Sequence, residues 1–407
     1  MDPLARLAEA LRGQDESFAL TVEACRARRG AKWHRYPDDV LAAWVADMDF
    51  AVAPCIRQAV LRLVEQTDFG YAWRQDDDSL AAAFAERMQA RSGWTVDPAN
   101  VVPVPNLVQA LFASTLAFSQ PGDGIAIQTP IYPPFLHAID ATSRRQVENP
   151  LRDDGTRFVL DAEHLRHAVD AGTRILMVCN PHNPAGRVFT RAELRALADL
   201  ALERDLIIIS DEIHSDLVYP GHQHIPMASL GADVAARTIT LYSATKSFNI
   251  PGLKAAVMYF GSPELKERFH RTIHERLLGG VNAVGHDATV AAWREGGPWL
   301  EAVMRQLQAN RDRLTELLRA ELPRVHYYPP EATYLAWLNF RAYDPPLNRP
   351  YEFFLNQAKI GLNNGADFGK LGEGCVRLNF ATSPEILNQI FERMAGAVRS
   401  ATLHPVS

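Results

Sequence analysis

Cysteine is scarce in this chain: four in 407 residues, Cys25, Cys55, Cys179 and Cys375, widely separated and without a CxxC pair. That spacing argues against a disulfide framework and against structural zinc, so no metal site is expected. Cys179 and Cys375 lie in apolar runs and read as buried thiols rather than nucleophiles. Long hydrophobic runs are missing too; none approaches the ~18 residues that span a bilayer. There is no excess of positive charge. The 42 Lys and Arg against 48 Asp and Glu give a formal charge of −6 and a pI near 6.1, which argues against nucleic-acid or anionic-membrane partners. Residues 1–16 carry Asp2, Glu9 and Asp15 and no apolar signal region, so a cytoplasmic location is expected. Repeats, low-complexity tracts and long polar linkers are also absent.

What is present is an ordinary globular composition, 47% hydrophobic and 22% charged. The chain is too long for one compact core and reads as two domains. From about 101 to 261 strand patterns alternate with helical ones, which predicts an α/β domain with a mostly parallel sheet flanked by helices. Strand candidates are 124–128, 174–179, 206–210, 238–242 and 255–260. Thr190-Arg191-Ala192-Glu193 is a capping box, and Leu194, Leu197, Ala198, Ala201 and Leu202 then share a helix face. Ser383-Pro384 opens a second helix with Ile386, Ile390, Met394 and Val398 in one stripe. Residues 279–297 read as the start of a long helix leading to the C-terminal part, and 325–340 and 376–380 as strands there. The expected division is an N-terminal arm at 1–45, packed on the small domain or a neighbouring subunit, a large domain at 46–290 and a small α+β domain at 291–407.

Two polar groups stand at predicted strand ends, where open α/β sheets bind ligands. Asp211 follows 206–210, and Lys246 follows 238–242 within Ser243-Ala244-Thr245-Lys246. A lysine amine that condenses with an aldehyde and a carboxylate that keeps a pyridinium protonated are the two groups pyridoxal phosphate (PLP) chemistry needs. Asn183, in the turn Pro181-His182-Asn183-Pro184-Ala185-Gly186 after 174–179, is placed to donate to the cofactor's phenolic oxygen. That composition also suits a plain turn. His214 lies three residues past Asp211 and is either a cofactor neighbour or a hydrogen-bonded structural histidine. Ser243 and Lys254 offer the phosphate a hydroxyl and a cation, and the N–H groups after Pro105-Asn106 offer a helix start.

Taken together, Asn183-Pro184-x-Gly186, Asp211-x-x-His214 and Ser243-x-x-Lys246 resemble the fold-type I PLP enzymes, the aspartate aminotransferase superfamily. The chain is most similar to the MalY/PatB branch of carbon–sulfur β-lyases, through Trp44-Val45-Ala46-Asp47-Met48-Asp49-Phe50, Phe69-Gly70-Tyr71, Asn180-Pro181-His182-Asn183-Pro184, residues 210–217 and Thr333-Tyr334-Leu335-Ala336-Trp337-Leu338. The similarity runs from about Lys32 to the end. It implies that Tyr132 stacks on the pyridine ring, that Leu107 and Val108 bind phosphate through their N–H groups, and that Arg377 clamps the substrate carboxylate. It also implies a homodimer with shared active sites, in which Tyr71 reaches the phosphate of the neighbouring subunit's cofactor. Two positions depart from the branch: Asn106 stands where glycine is usual, which raises the question of a left-handed backbone there, and Lys254 stands where many relatives have arginine.

The expected function is β-elimination from a cysteine S-conjugate, with thiol, pyruvate and ammonia as products and Lys246 as the base. An aminotransferase sharing the site is the nearest alternative, followed by a decarboxylating or oxidatively deaminating variant. A ligand-sensing regulator is a further reading, although an arm of about 45 residues is short for a DNA-binding domain.

Overall fold

The computed structural model describes residue 18 and residues 20–67, 69–70 and 78–403. Seven strands build the main sheet: β1 (Val101–Val104), β2 (Gly124–Thr129), β3 (Arg145–Pro150), β4 (Thr173–Cys179), β5 (Ile207–Asp211), β6 (Thr238–Tyr242) and β7 (Ala256–Phe260). Their spatial order is β1-β7-β6-β5-β4-β2-β3. Only β7 runs antiparallel to its neighbours. Every residue of β2, β5, β6 and β7 is buried, as continuous apolar strands are when helices cover both faces of a sheet. The five expected strands are all present. The two that the sequence pattern does not single out, β1 and β3, are the sheet edges. Pro103 is tolerated in β1 because an edge strand has one side without ladder bonds, and β3 shows a mixed burial pattern rather than a continuous apolar run.

Helices that bear on the site are α1 (Pro54–Gln66), α2 (Ser79–Ser92), α3 (Leu107–Phe118), α4 (Pro133–Ala141), α5 (Arg191–Glu203), α6 (Ala283–Glu295), α7 (Gly297–Glu321) and α8 (Pro384–Leu403). The capping box on α5 forms in both directions. The single long helix expected from 279 is instead two. α6 ends at Glu295, with Gly296 as its cap, and α7 restarts with Pro298 in its first turn, where a residue without an N–H interrupts nothing.

A second, three-stranded antiparallel sheet holds β8 (Leu335–Asn339), β9 (Asn363–Asn364) and β10 (Cys375–Asn379) in the order β8-β10-β9. The strand expected over 325–340 is thus shortened to β8 plus an isolated bridge between His326 and Asn339; Pro329-Pro330 supplies no N–H groups for a longer ladder. Leu41–Ala42 pairs in parallel with Ile360–Gly361, which ties the N-terminal segment to this smaller sheet region. All four cysteines are free. Among the described residues no helix is long and apolar enough to cross a membrane.

Candidate active site

Parallel pairing brings three loops to one edge of the main sheet. Cys179 at the end of β4 faces Asp211 at the end of β5, and Asp211 faces Leu241 in β6. The segments that follow carry Asn183, His214 and Lys246, so residues far apart in sequence meet at strand carboxyl ends. They line a cavity of about 300 Å³ that also takes in Leu107, Val108, Tyr132, Ser243, Lys254 and Arg377. Each sequence-predicted site residue borders this cavity except Tyr71, which lies outside the described residues.

Asp211 is buried, and burial pushes its carboxyl up to about 7; the neighbouring Glu212 adds to the shift, while Lys246 opposes it. Its Oδ1 accepts from the Ile213 N–H at 3.1 Å. No ion pair to a described cation offsets that burial. Lys246 donates to Ala46 O at 2.8 Å and lies 3.9 Å from Asp47 Oδ1. Desolvation holds its amine below the ordinary lysine range, against the pull of Asp47 and with the help of the Arg377 and Lys254 cations. His214 packs edge-on against Tyr334 at 6.3 Å, and burial, then Lys246 and Arg377, push it down to about 3. It is therefore a neutral imidazole, and its Nδ1 has no partner among the described residues. Burial also raises the Cys179 thiol, which excludes it as a nucleophile at neutral pH.

Arg377 sits in β10 and is 3% exposed. Nη1 donates to Asn183 Oδ1 at 3.0 Å, while Nη2 donates to Asn363 Oδ1 at 2.6 Å and Trp44 O at 3.3 Å. Nε has no partner. The guanidinium also lies 5.0 Å from the centre of the Phe368 ring. Desolvation lowers it to about 10. Because arginine only donates, the Asn183 carbonyl must face Arg377, and its NH₂ group is left for another acceptor. Tyr132, the residue before α4, supplies an aromatic wall.

At the other end of the cavity is the start of α3. Asn106 has φ −162°, an extended conformation open to any residue, so the glycine departure requires no left-handed backbone. Its Oδ1 caps the Gln109 N–H at 2.9 Å. No described hydrogen bond occupies the Leu107 or Val108 N–H, as expected in the first turn of a helix. Lys254 stands opposite, an exposed cation in the left-handed region at φ 56°. The Ser243 hydroxyl is already engaged: it donates to Ala255 O at 2.7 Å and lies 2.9 Å from Thr245 Oγ1.

These features fit PLP. A protonated ring nitrogen is the cation that Asp211 lacks, the Lys246 amine suits an aldehyde, and open N–H groups with Lys254 suit a phosphate. Sequence reasoning assigned no role to Asp47, Asn363 or Thr245, although all three lie at or beside the cavity. Asp47 and Thr245 sit inside recognised motifs, whereas Asn363-Asn364-Gly365 has the composition of a turn.

The chain matches the aminotransferase class I and II family over residues 44–394. It is 36% identical over 361 residues to cystathionine beta-lyase PatB of Bacillus subtilis, covering 88% of this chain and 93% of that protein. The crystal structure of OvoB superposes with a TM-score of 0.88 at 38% identity, over 95% of this chain and 99% of that one. A putative PLP-dependent beta-cystathionase from Corynebacterium diphtheriae superposes with a TM-score of 0.87 at 35% identity, over 94% and 98% of the two chains. With the cavity, the partly buried Lys246 amine, the buried Asp211 carboxyl and these matches in agreement, the chain belongs to the class I and II aminotransferase family of PLP-dependent enzymes, in the group that contains PatB.

Proposed function

We propose that this chain is a PLP-dependent carbon–sulfur β-lyase that cleaves a cysteine S-conjugate of the cystathionine kind into a thiol, pyruvate and ammonia. The observation that carries the reading is one cavity holding a partly buried amine of lowered basicity, a buried carboxyl and a buried arginine, neither of the last two paired with an opposite charge among the described residues. Asp211 would hold the ring nitrogen, Tyr132 the ring face, the Asn183 NH₂ the phenolic oxygen, with His214 beside Asp211, and Lys254 with the Leu107 and Val108 N–H groups the phosphate. Since its proton already serves Ala255 O, Ser243 shapes the turn that presents Thr245 and Lys246 rather than donating to phosphate. When bound, PLP supplies an electron sink conjugated to the substrate Cα.

The chain's own groups do the rest. Arg377 fixes the substrate carboxylate and so orients the Cα–H bond. Lys246, its basicity lowered by desolvation, removes that proton, and Ala46 O and the Asp47 carboxylate then stabilise the ammonium it becomes. Loss of the Cα proton pushes electrons toward Cβ, the Cβ–S bond breaks, and the thiolate leaves with the bonding pair. Water then converts the remaining enamine to pyruvate and ammonia. The choice of sulfur as leaving atom draws on the cystathionine beta-lyase relatives.

We extend the reading to a cytoplasmic homodimer in which Tyr71 of one subunit completes the other's site, with a chain division near residues 45 and 290. Exposed Leu277 and Val108 support an apolar contact beside the cavity mouth; they are 69% and 39% exposed, and Gln109 joins their segments through a bond to Leu277 O. The experiment that tests the function supplies cystathionine or an S-alkyl cysteine without any keto acid. Elimination gives sustained, equimolar thiol, pyruvate and ammonia. One burst matched to the enzyme, resumed only on adding a keto acid, establishes an aminotransferase instead, and carbon dioxide with an aldehyde establishes a decarboxylating outcome.

A further inference from the structure

We infer that Asn363 is a positioning residue whose neutrality keeps Arg377 available to the substrate carboxylate. The inference rests on the reading of Arg377 given above and adds a residue from a different strand. Asn363 lies in β9 directly opposite Arg377 of β10 in the antiparallel ladder, and its Oδ1 accepts from Nη2 at 2.6 Å. Such a short contact fixes the plane of the guanidinium. Arg377 is 3% exposed, so water contributes little to stabilising its charge. A buried arginine is ordinarily held by a carboxylate. Here, among the described residues, the acceptors are Asn183 Oδ1, Asn363 Oδ1 and Trp44 O, all uncharged, and Nε has no partner.

Charge accounting gives this arrangement a purpose. A guanidinium has five N–H donors, and the protein occupies three of them with neutral acceptors. Orientation is therefore fixed while the positive charge stays uncompensated inside a low-dielectric site. An incoming carboxylate meets a cation already aimed and not already paired. Asp at 363 has nearly the same shape and accepts the same hydrogen bond, yet it would neutralise Arg377 from within and compete with every substrate carboxylate. The identity of residue 363 as an amide rather than an acid thus sets substrate affinity.

The test uses the PLP-loaded full chain and L-alanine, which has a carboxylate and an amino group but no leaving group at Cβ. Its dissociation constant is read from the cofactor absorbance change, and KM and kcat are measured with cystathionine. Asn363→Asp is expected to weaken L-alanine binding and raise KM by 10-fold to 100-fold, with cofactor content retained and kcat changed far less than KM. Asn363→Ala, which loses the bond but adds no charge, is expected to do less harm than Asn363→Asp. A purely structural role gives the reverse order, because aspartate preserves the hydrogen bond and alanine does not. Asn363→Asp binding L-alanine as tightly as the unaltered chain, or more tightly than Asn363→Ala, overturns the inference. Arg377→Ala measured alongside separates the two layers: unchanged L-alanine binding in that variant refutes the reading of Arg377 itself, and the role of Asn363 with it. Melting temperatures of all variants identify any that fail to fold, and Asn363→Ser then replaces Asn363→Ala as the uncharged comparison.

Discussion

A carboxyl group buried without a cation favours its protonated form, and Asp211 is in that position until a ligand supplies the charge. Its folded pKa of about 7 stands above the ordinary 3.8, so between these values the native chain binds more protons than the unfolded one. Stability of the cofactor-free chain from this group is therefore full below about pH 4 and is lost as pH rises through about 7. Asp211→Asn removes the dependence. Urea titrations of the cofactor-free protein should show the variant more stable at pH 8, by on the order of 2–4 kcal/mol, with the difference vanishing toward pH 4. With PLP bound the order reverses, since an amide cannot neutralise a protonated ring nitrogen; cofactor affinity and turnover should both fall. A variant no more stable than the parent at pH 8 would mean that another group already compensates Asp211. Lys246→Ala should abolish turnover together with the lysine-dependent absorbance of the bound cofactor, and borohydride trapping should label a peptide containing Lys246 and no other.

At the scale of elements, the segment from Trp44 to Phe50 explains how the cavity wall stands without belonging to a helix or sheet. Its backbone groups must find partners elsewhere, and side chains provide them. Arg377 reaches Trp44 O; Asn379 reaches Val45 O at 2.6 Å and Asp47 O at 2.7 Å; Tyr334 and Lys246 reach Ala46 O. Asn249, three residues past Lys246, takes both Met48 N and Met48 O at 2.9 Å and Phe50 O at 3.0 Å. The wall is thus fastened to the lysine loop on one side and to β10 on the other. Asn249→Ala strands the Met48 N–H and C=O, leaves Phe50 O only its 3.3 Å bond from Arg28 and places alanine at φ 56°, so it should cost about 2–4 kcal/mol and raise KM while Lys246 remains intact. A melting temperature and KM equal to the parent's would show that the segment is held without Asn249. This wall is also where the sequence was hardest to read. Trp44 to Phe50 was recognisable as a motif, but its function depends on donors roughly 200 to 330 positions away. Asn363 was hidden for a related reason, because a two-residue strand beside glycine looks like a turn and its partnership with Arg377 exists only once β9 and β10 pair. Asn183, Asp211 and Lys246 were legible because each follows a strand whose apolar run is unmistakable.

For the whole molecule, the central strands and the carboxyl-end position of the site were readable from β-branched runs and their spacing, whereas the edge strands and the α6–α7 break depended on tertiary context. The quaternary reading yields the last prediction. The proposed dimer has two equivalent sites related by a twofold axis, and each is assigned Lys246 from one subunit and Tyr71 from the other. Tyr71→Ala and Lys246→Ala homodimers should both be inactive, since every site in either lacks one group. In a heterodimer the defects segregate: one site receives Lys246 from the Tyr71→Ala subunit and Tyr71 from the Lys246→Ala subunit and is intact, while the other carries both losses. Random reassociation of equal amounts makes half the dimers mixed with one working site each, so activity should recover to about a quarter of the parent's. Two affinity tags isolate the mixed species, whose activity should be about half that of the parent. Inactivity of the isolated heterodimer would place Tyr71 in its own subunit's site, and a fully active Tyr71→Ala homodimer would remove it from catalysis.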